Sequence, residues 1–366
     1  MSLGVPARAA IAFGREEPLR VEEIRVRDPL PGEVRVRVAA CSLCASDLHV
    51  LRTGEGISFP AVLGHEAAGI VEAVGVGVTR VAEGQRVVLS WLPQCGTCRG
   101  CRTGNPHLCS AMKTDGNDGS LLHDTTSLGR YMSVAGLSER VVVGERSAIP
   151  IPDGIALGAA CAVGCGVTTG FGAAVITGGV RWGESVAVFG CGAVGLSAIQ
   201  GARTVGASRI IGVDPNRERL DLALKLGATD VLSPEESDPV SAIQVMTDGG
   251  VDLAVECVGS ADIIRQAFDA ISPGGRAVAV GLTSHADHVS IPVVSLLLGK
   301  SLHGSIHGSA DPVRDFPKLY RLIEGGSLEL DSMLGPDYSL DAVNEAMEAL
   351  SSGRSVRPRV LMKDAG

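Results

Sequence analysis

The sequence predicts an α/β protein of two domains, one β-rich and barrel-like, the other a doubly wound parallel sheet. Three observations carry this. The chain has 366 residues, more than one core ordinarily organises. Its first part alternates apolar and polar residues at the two-residue period of a strand. After about residue 166, short apolar runs alternate with helix-period stretches, the pattern of a parallel sheet covered on both faces.

The elements follow in order. Pro31-Gly32 is a turn, and Val34-Arg35-Val36-Arg37-Val38 after it alternates strictly as a half-buried strand does. Val71, Ala73 and Val74, then Arg86-Val87-Val88-Leu89, continue the β-rich region. Ser185-Val186-Ala187-Val188-Phe189 opens the second pattern and is followed by a helix over 194–205. Residues 209–213 form the next apolar run and 217–226 the next helix, and runs at 251–255 and 276–280 repeat the theme. The tail carries a helix over 340–351 and a strand over 359–362, expected to rejoin the first domain. The predicted division is 1–166 with 308–366, and 167–307.

Composition excludes several classes. Hydrophobic residues are 45% and charged residues 20%, enough apolar surface to offset chain entropy. The net charge of −9 lacks the basic footprint of nucleic-acid binding. No apolar run has the length of a membrane span, and the N-terminus lacks a secretory pattern, so a cytoplasmic protein without a membrane partner is expected. Glycine is 48 of 366 residues, about 13% against a usual ~7%, and is not periodic. The many glycines indicate tight turns and close backbone approaches.

Gly190-Cys191-Gly192-Ala193-Val194-Gly195 is a G-x-G-x-x-G between a predicted strand and a predicted helix. Asp214 follows Gly195 by 19 residues, at the end of the next strand. Strand, glycines, helix and acid together form a dinucleotide-binding fingerprint. The helix N-terminus offers unpaired N–H groups to a pyrophosphate. The plainer alternative is a glycine-rich turn with no ligand. A carboxylate at Asp214 accepts hydrogen bonds from ribose hydroxyls and repels a 2′-phosphate, so NAD is expected over NADP; Arg217 and Arg219 lie close by.

Cys95, Cys98, Cys101 and Cys109 follow C-x2-C-x2-C-x7-C. Four thiolates on one loop close a tetrahedron around zinc and leave no position for substrate. The alternative is a redox dithiol, since Cys-x-x-Cys occurs twice. A second, dispersed grouping is suggestive: Cys44-Ala45-Ser46-Asp47-Leu48-His49, Gly64-His65-Glu66, and Gly164-Cys165-Gly166-Val167. A Cys, a His and a second Cys are three ligands and leave one position open. Cys41, Cys161, Cys191 and Cys257 are expected to be buried core residues.

These segments, with Gly64-His65-Glu66-Ala67-Ala68-Gly69 and Ser352-Gly353-Arg354-Ser355-Val356-Arg357, span most of the chain. Together they resemble a zinc-dependent alcohol dehydrogenase of the medium-chain dehydrogenase/reductase superfamily, in its longer-loop, class III-like branch. The resemblance implies a GroES-like catalytic domain split by an inserted Rossmann domain. It implies two zinc ions per subunit: a catalytic ion on Cys44, His65 and Cys165, and a structural ion on the four-cysteine loop. The catalytic zinc lowers the pKa of the substrate hydroxyl, and hydride passes to the nicotinamide of NAD. Ser46 matches the hydroxyl that takes the alcohol proton and His49 the outer member of the relay, a role suited to imidazole. Asp47 matches a carboxylate that orients His65, and Glu66 a residue behind the metal. Thr169 matches a nicotinamide contact, Arg357 a pyrophosphate contact, and Arg219 joins Gly190, Gly192, Gly195 and Asp214 in the cofactor set. Animal members usually carry Arg or His where this chain has Ala45, so faster NADH release is expected.

Trp91, Tyr131, Met132 and Ile306 match positions that line the family's substrate pocket. A primary alcohol or its aldehyde, aromatic or medium-chain, is the expected small-molecule partner. An alternative is formaldehyde dehydrogenation through a hydroxymethyl thiol adduct. Lys113, four residues after Cys109, and the polar segment 114–127 resemble relatives of that kind. A non-catalytic zinc and nucleotide-binding module is the remaining alternative. A homodimer is expected, with residues 301–304 as a strand that pairs across its interface.

Overall fold

A computed structural model describes residues 4–113 and 115–363. Their contacts group into two units. The first runs through Cys165 and adds Asp311–Glu324 and the chain from Met333 onward, and the second is Gly166–Ala310 with Gly325–Ser332.

The first unit is built from short strands in two sheets. Its strands begin with β1 (Val5–Ala12), β2 (Arg20–Val26), β3 (Glu33–Ser42), β4 (Ala61–Val62), β5 (Glu66–Val74) and β6 (Arg86–Leu89). They continue with β7 (Leu121–His123), β8 (Thr126–Ser127), β9 (Gly129–Arg130), β10 (Arg140–Gly144) and β11 (Ala148–Pro150). One sheet has the order β8-β7-β2-β1-β4-β9, and β3 is central to the other, antiparallel to both β5 and β10. The valines of β3 explain its position. Val34, Val36 and Val38 are at most 1% exposed, as the strand period predicts. The opposite face is also covered, because Arg35 donates to Asp28 and Glu72 at 2.8 Å each.

The second unit holds a parallel sheet of β12 (Ser185–Phe189), β13 (Arg209–Val213), β14 (Asp230–Leu232), β15 (Val251–Glu256), β16 (Ile271–Ala279) and β17 (Ser301–Gly304), in the order β14-β13-β12-β15-β16-β17. The runs are continuously apolar because strands in such a sheet are buried on both faces. Val186, Val188, Ile211 and Val255 are all fully buried. The helices Ala193–Val205 and Arg217–Leu226 connect successive strands. After them come β18 (Asp337–Ser339) and β19 (Arg359–Leu361), and β19 pairs antiparallel with β3, Arg359 opposite Ser42. The last strand thus lies beside the chain that leads into Cys44.

Four details differ from the sequence expectation. Gly166 and residues 308–310, expected in the first domain, fall in the second unit. Gly325–Ser332 belongs to the second unit, where the Gln200 side chain bonds both the N–H and the carbonyl of Glu329. The helix expected over 340–351 opens as a 3-10 turn, Leu340–Ala342, and is α-helical over Val343–Ser351. The polar segment 114–127 contains the β7–β8 hairpin; Thr114 itself lies outside the described residues. Among the described residues no single helix is long and apolar enough to cross a membrane.

Candidate active site and cofactor turn

Cys44 is the N-cap of the helix Ala45–Thr53, which places its thiol at the end of β3 and one turn from Asp47. Asp47 is fully buried and its two oxygens are both used. Oδ2 accepts from the N–H of Cys44 at 3.0 Å, and Oδ1 accepts from the N–H of Gly64 at 3.0 Å and lies 3.3 Å from His65 Nδ1. One carboxylate therefore fixes the cap, the next ligand segment and the ring of His65. Nε2 of His65 is the nitrogen left to face the thiols, and Ser46 Oγ lies 3.4 Å from it. Ser46 also donates to Cys44 Sγ at 3.2 Å. Tyr131 packs edge-on against His65 at 5.4 Å between centroids. Gly64 is required here: its φ is +84°, and a Cβ would meet Cys41 Sγ at 2.7 Å.

Cys165 lies at the last residue of the first unit, after the 3-10 turn Cys161–Gly164. The donor atoms of Cys44, His65, Glu66 and Cys165 all lie within 4.8 Å of one another. That span suits a tetrahedral ion with bonds of about 2.0–2.3 Å. The two thiols are held apart in acidity: a hydrogen bond from Cys165 pulls the Cys44 thiol well below the usual range, and the same contact, with burial, pushes Cys165 up. Burial would lower the His65 imidazole, but Asp47 and Cys44 outweigh it and hold it well above its usual value.

Behind these ligands Glu66 is buried, and Ser42 Oγ donates to its Oε2 at 2.5 Å. Arg357 donates from Nη1 to Oε1. Burial raises the Glu66 carboxyl to about 7 against the pull of Arg357. The Arg357–Glu66 pair and Ser42 are site features that sequence reasoning missed. Arg357, expected at pyrophosphate, is 4% exposed and donates instead to the fully buried Glu66. No local signal joins residues so far apart in sequence, although β19 pairing with β3 makes the approach.

The other candidates distribute as follows. His49 Nε2 lies 3.4 Å from Glu55 at the partly exposed side of its helix. Trp91 and Tyr131 are buried in the first unit and Met132 packs against that core. Ile306 belongs to the second unit and is 36% exposed. Thr169 is buried in the helix Gly166–Gly172 of the second unit. Lys113 is exposed, and its carbonyl accepts from Ser133 at 3.5 Å.

The four-cysteine loop gathers its thiols around backbone N–H groups. Cys95 Sγ accepts from Cys98 N at 3.4 Å, Cys98 Sγ from Cys101 N at 3.5 Å and Cys109 Sγ from Cys95 N at 3.3 Å. N–H groups aimed at sulfur favour thiolates. They pull Cys98 down to about 5, whereas burial pushes Cys101 up to about 12. Their sulfur atoms also lie within 4.8 Å of one another, so this loop too offers a tetrahedral set of sulfur donors.

In the second unit the glycine turn joins β12 to the helix Ala193–Val205. Gly190 has φ +91°, and a Cβ on Gly195 would lie 1.8 Å from the Gly190 carbonyl. Asp214, 4% exposed, accepts from the N–H of Cys191 at 2.8 Å and from that of Asn216 at 2.8 Å. Arg219 Nη1 is 3.8 Å from the same carboxylate. Turn, acid and Arg219 are thus brought together, and the helix opens with its N–H groups toward the turn.

Comparison with known proteins agrees with this geometry. Residues 30–153 match the alcohol dehydrogenase GroES-like domain, and residues 193–325 match the zinc-binding dehydrogenase domain. The chain is 37% identical to an alcohol dehydrogenase class-3 from Myxine glutinosa, over 96% of this chain and 97% of that protein. It superposes on an alcohol dehydrogenase zinc-binding domain protein from Burkholderia ambifaria with TM-score 0.94 and 36% identity, covering 98% and 99% of the two chains. It superposes on benzyl alcohol dehydrogenase from Acinetobacter calcoaceticus with TM-score 0.93 and 33% identity, with the same coverage. The fold is therefore a GroES-like domain with a Rossmann-type domain, and the protein is an oxidoreductase that uses zinc and a nicotinamide cofactor. The chain belongs to the zinc-dependent alcohol dehydrogenases of the medium-chain dehydrogenase/reductase superfamily.

Proposed function

We propose that the chain oxidises primary alcohols, aromatic or medium-chain, with NAD, and that it carries two zinc ions, one catalytic and one structural. The observation that carries this is the three-ligand set of half-buried Cys44 and Cys165 with buried His65, and Glu66 behind it. When bound, the zinc supplies Lewis-acid activation of the substrate hydroxyl and the nicotinamide accepts the hydride. Cys44, His65 and Cys165 would hold the ion. Asp47 keeps His65 in the tautomer that offers Nε2. Ser46, beside Cys44 and His65, would accept the proton of the substrate hydroxyl while releasing its own outward, with His49 as the outer member of the relay. Glu66 stands in reserve behind the ligands, neutralised by Arg357. The four-cysteine loop is closed by its own thiols and is structural.

Gly190, Gly192 and Gly195 let a pyrophosphate approach backbone N–H groups. Asp214 accepts from the ribose hydroxyls and disfavours a 2′-phosphate, Arg219 flanks the ribose, and Thr169 meets the nicotinamide. The similarity to benzyl alcohol dehydrogenase supports an aromatic substrate, with Trp91, Tyr131 and Met132 as its apolar contacts in the first unit. A homodimer is supported by the open edge of β17 and by the exposed Val293, Val294 and Leu297 in the helix before it. A cytoplasmic location suits ten cysteines of which none is in a disulfide.

The similarity to a class-3 alcohol dehydrogenase favours one second reading, turnover of a hydroxymethyl thiol adduct with Lys113 as a cationic contact. NADH formation by the zinc-loaded protein with benzyl alcohol, hexanol, ethanol and hydroxymethyl thiol adducts separates the two. Turnover of free benzyl alcohol with NAD, several times faster than with NADP, is expected. Adduct-only turnover that is lost in Lys113→Ala replaces the first reading with the second.

A further inference from the structure

Glu256 is fully buried at the C-terminal end of β15, the end of a parallel strand where ligands bind. Neither the fingerprint nor the relay uses it. Its Oε1 accepts from the N–H of Val258 at 2.7 Å and of Gly259 at 2.6 Å. Both donors lie in the 257–260 loop, between β15 and the helix Ala261–Asp269. The Glu256 main chain adds to this: its carbonyl accepts from Val280 at 2.9 Å and Gly281 at 3.2 Å, at the end of β16. Cys257 N donates to the Phe189 carbonyl at 2.8 Å, one residue before the glycine turn. The loop so held presses directly on that turn. A Cβ on Gly190 would lie 2.8 Å from Val258 Cγ2, and one on Gly281 would lie 2.0 Å from the N of Gly259.

A buried carboxylate is costly at such a place, the more so because Glu256 Oε2 has no hydrogen-bond partner among the described residues, so the two N–H groups on Oε1 are what its side chain provides there. A plain apolar residue would fill the volume but would leave the N–H groups of Val258 and Gly259 without their acceptor. We propose that Glu256 is a positioning residue for the cofactor: its carboxylate fixes the 257–260 loop against the Gly190 turn and so shapes the side of the dinucleotide crevice. This rests on the reading that the turn binds a nicotinamide dinucleotide. Asp252 provides the internal comparison. It lies near the other end of the same strand and accepts from Ser185 N at 2.8 Å and Ser185 Oγ at 2.7 Å, far along β15 from the turn.

The test is the NADH dissociation constant of the zinc-loaded protein, read by nucleotide fluorescence, alongside thermal midpoints. Both Glu256→Ala and Asp252→Ala are expected to lower the midpoint. Only Glu256→Ala is expected to weaken NADH, by about tenfold or more, because ordering the loop must then be done by the ligand. Glu256→Gln keeps an oxygen for the two N–H groups and is expected to bind within about threefold of the parent. Glu256→Asp, which shortens the reach, serves if the alanine variant does not fold, and is expected to behave as the alanine variant. Equal NADH binding in parent and Glu256→Ala, or equal weakening in Asp252→Ala, overturns the proposal. Failure of the parent itself to bind NADH overturns instead the reading on which it rests.

Discussion

Two clusters in this molecule present sulfur donors at similar spacing, and they are made in opposite ways. The Cys95–Cys109 loop is local. Its thiols are ordered by backbone N–H groups of the same loop, and only Cys109 among them is buried. The cluster of Cys44, His65 and Cys165 is assembled from three separate segments and backed by buried charges at Asp47, Glu66 and Arg357. The local cluster offers four sulfur donors and is proposed as the closed site. The assembled one has three ligands, a reserve carboxylate and a polar shell that costs stability unless every member is paired. Closure belongs to a structural site and openness to a catalytic one.

Removing one donor from each cluster breaks the comparison most severely. Cys165→Ser is expected to lower kcat for benzyl alcohol by at least about a thousandfold, while the thermal midpoint moves little. Cys98→Ser is expected to do the reverse, lowering the midpoint by about 5–10 °C while kcat of the folded protein stays within about twofold. Scanning calorimetry and steady-state kinetics on the two variants check both. A large loss of midpoint in Cys165→Ser with activity retained would exchange the roles.

Asp47→Asn sharpens the comparison within the open site. The amide keeps the volume but has one oxygen where the carboxylate has two, so it cannot accept both from Cys44 N and from Gly64 N and His65 Nδ1. A 10–100-fold loss of catalytic-zinc affinity or of kcat/KM is expected, with the zinc of the four-cysteine loop unaffected. Competition with a chelator, followed by metal content, reads the two ions separately.

Legibility in the sequence follows the same division. The four-cysteine loop and the glycine turn were legible because spacing within a short segment encodes them. The parallel sheet was legible because burial on both faces writes continuous apolar runs. The Glu66–Arg357 pair was not, since its members are 291 positions apart and meet only because β19 pairs with β3. The place of Gly325–Ser332 in the second unit is illegible for the same reason: the Gln200–Glu329 contacts that hold it are formed across 129 positions. Asp47 was recognised through family resemblance, and the structure adds its physical reason, three contacts on two oxygens. Glu256 carried no motif at all, because its partners are main-chain N–H groups.

The smallest expected effect lies at Ala45, where a small apolar side chain follows the first ligand. Ala45→Arg adds a charge-assisted contact to pyrophosphate and is expected to slow NADH dissociation by about three- to tenfold. Stopped-flow displacement of bound NADH measures it, and an unchanged off-rate removes Ala45 from the account of cofactor release.

Zinc content per chain tests the central claim most directly, measured on the parent, Cys165→Ser and Cys98→Ser together with benzyl alcohol turnover. Two zinc ions are expected in the parent, matching its two donor clusters, and one in each variant, with turnover lost only in Cys165→Ser. A single zinc in the parent, or full turnover by a Cys165→Ser protein that holds one ion, would contradict it.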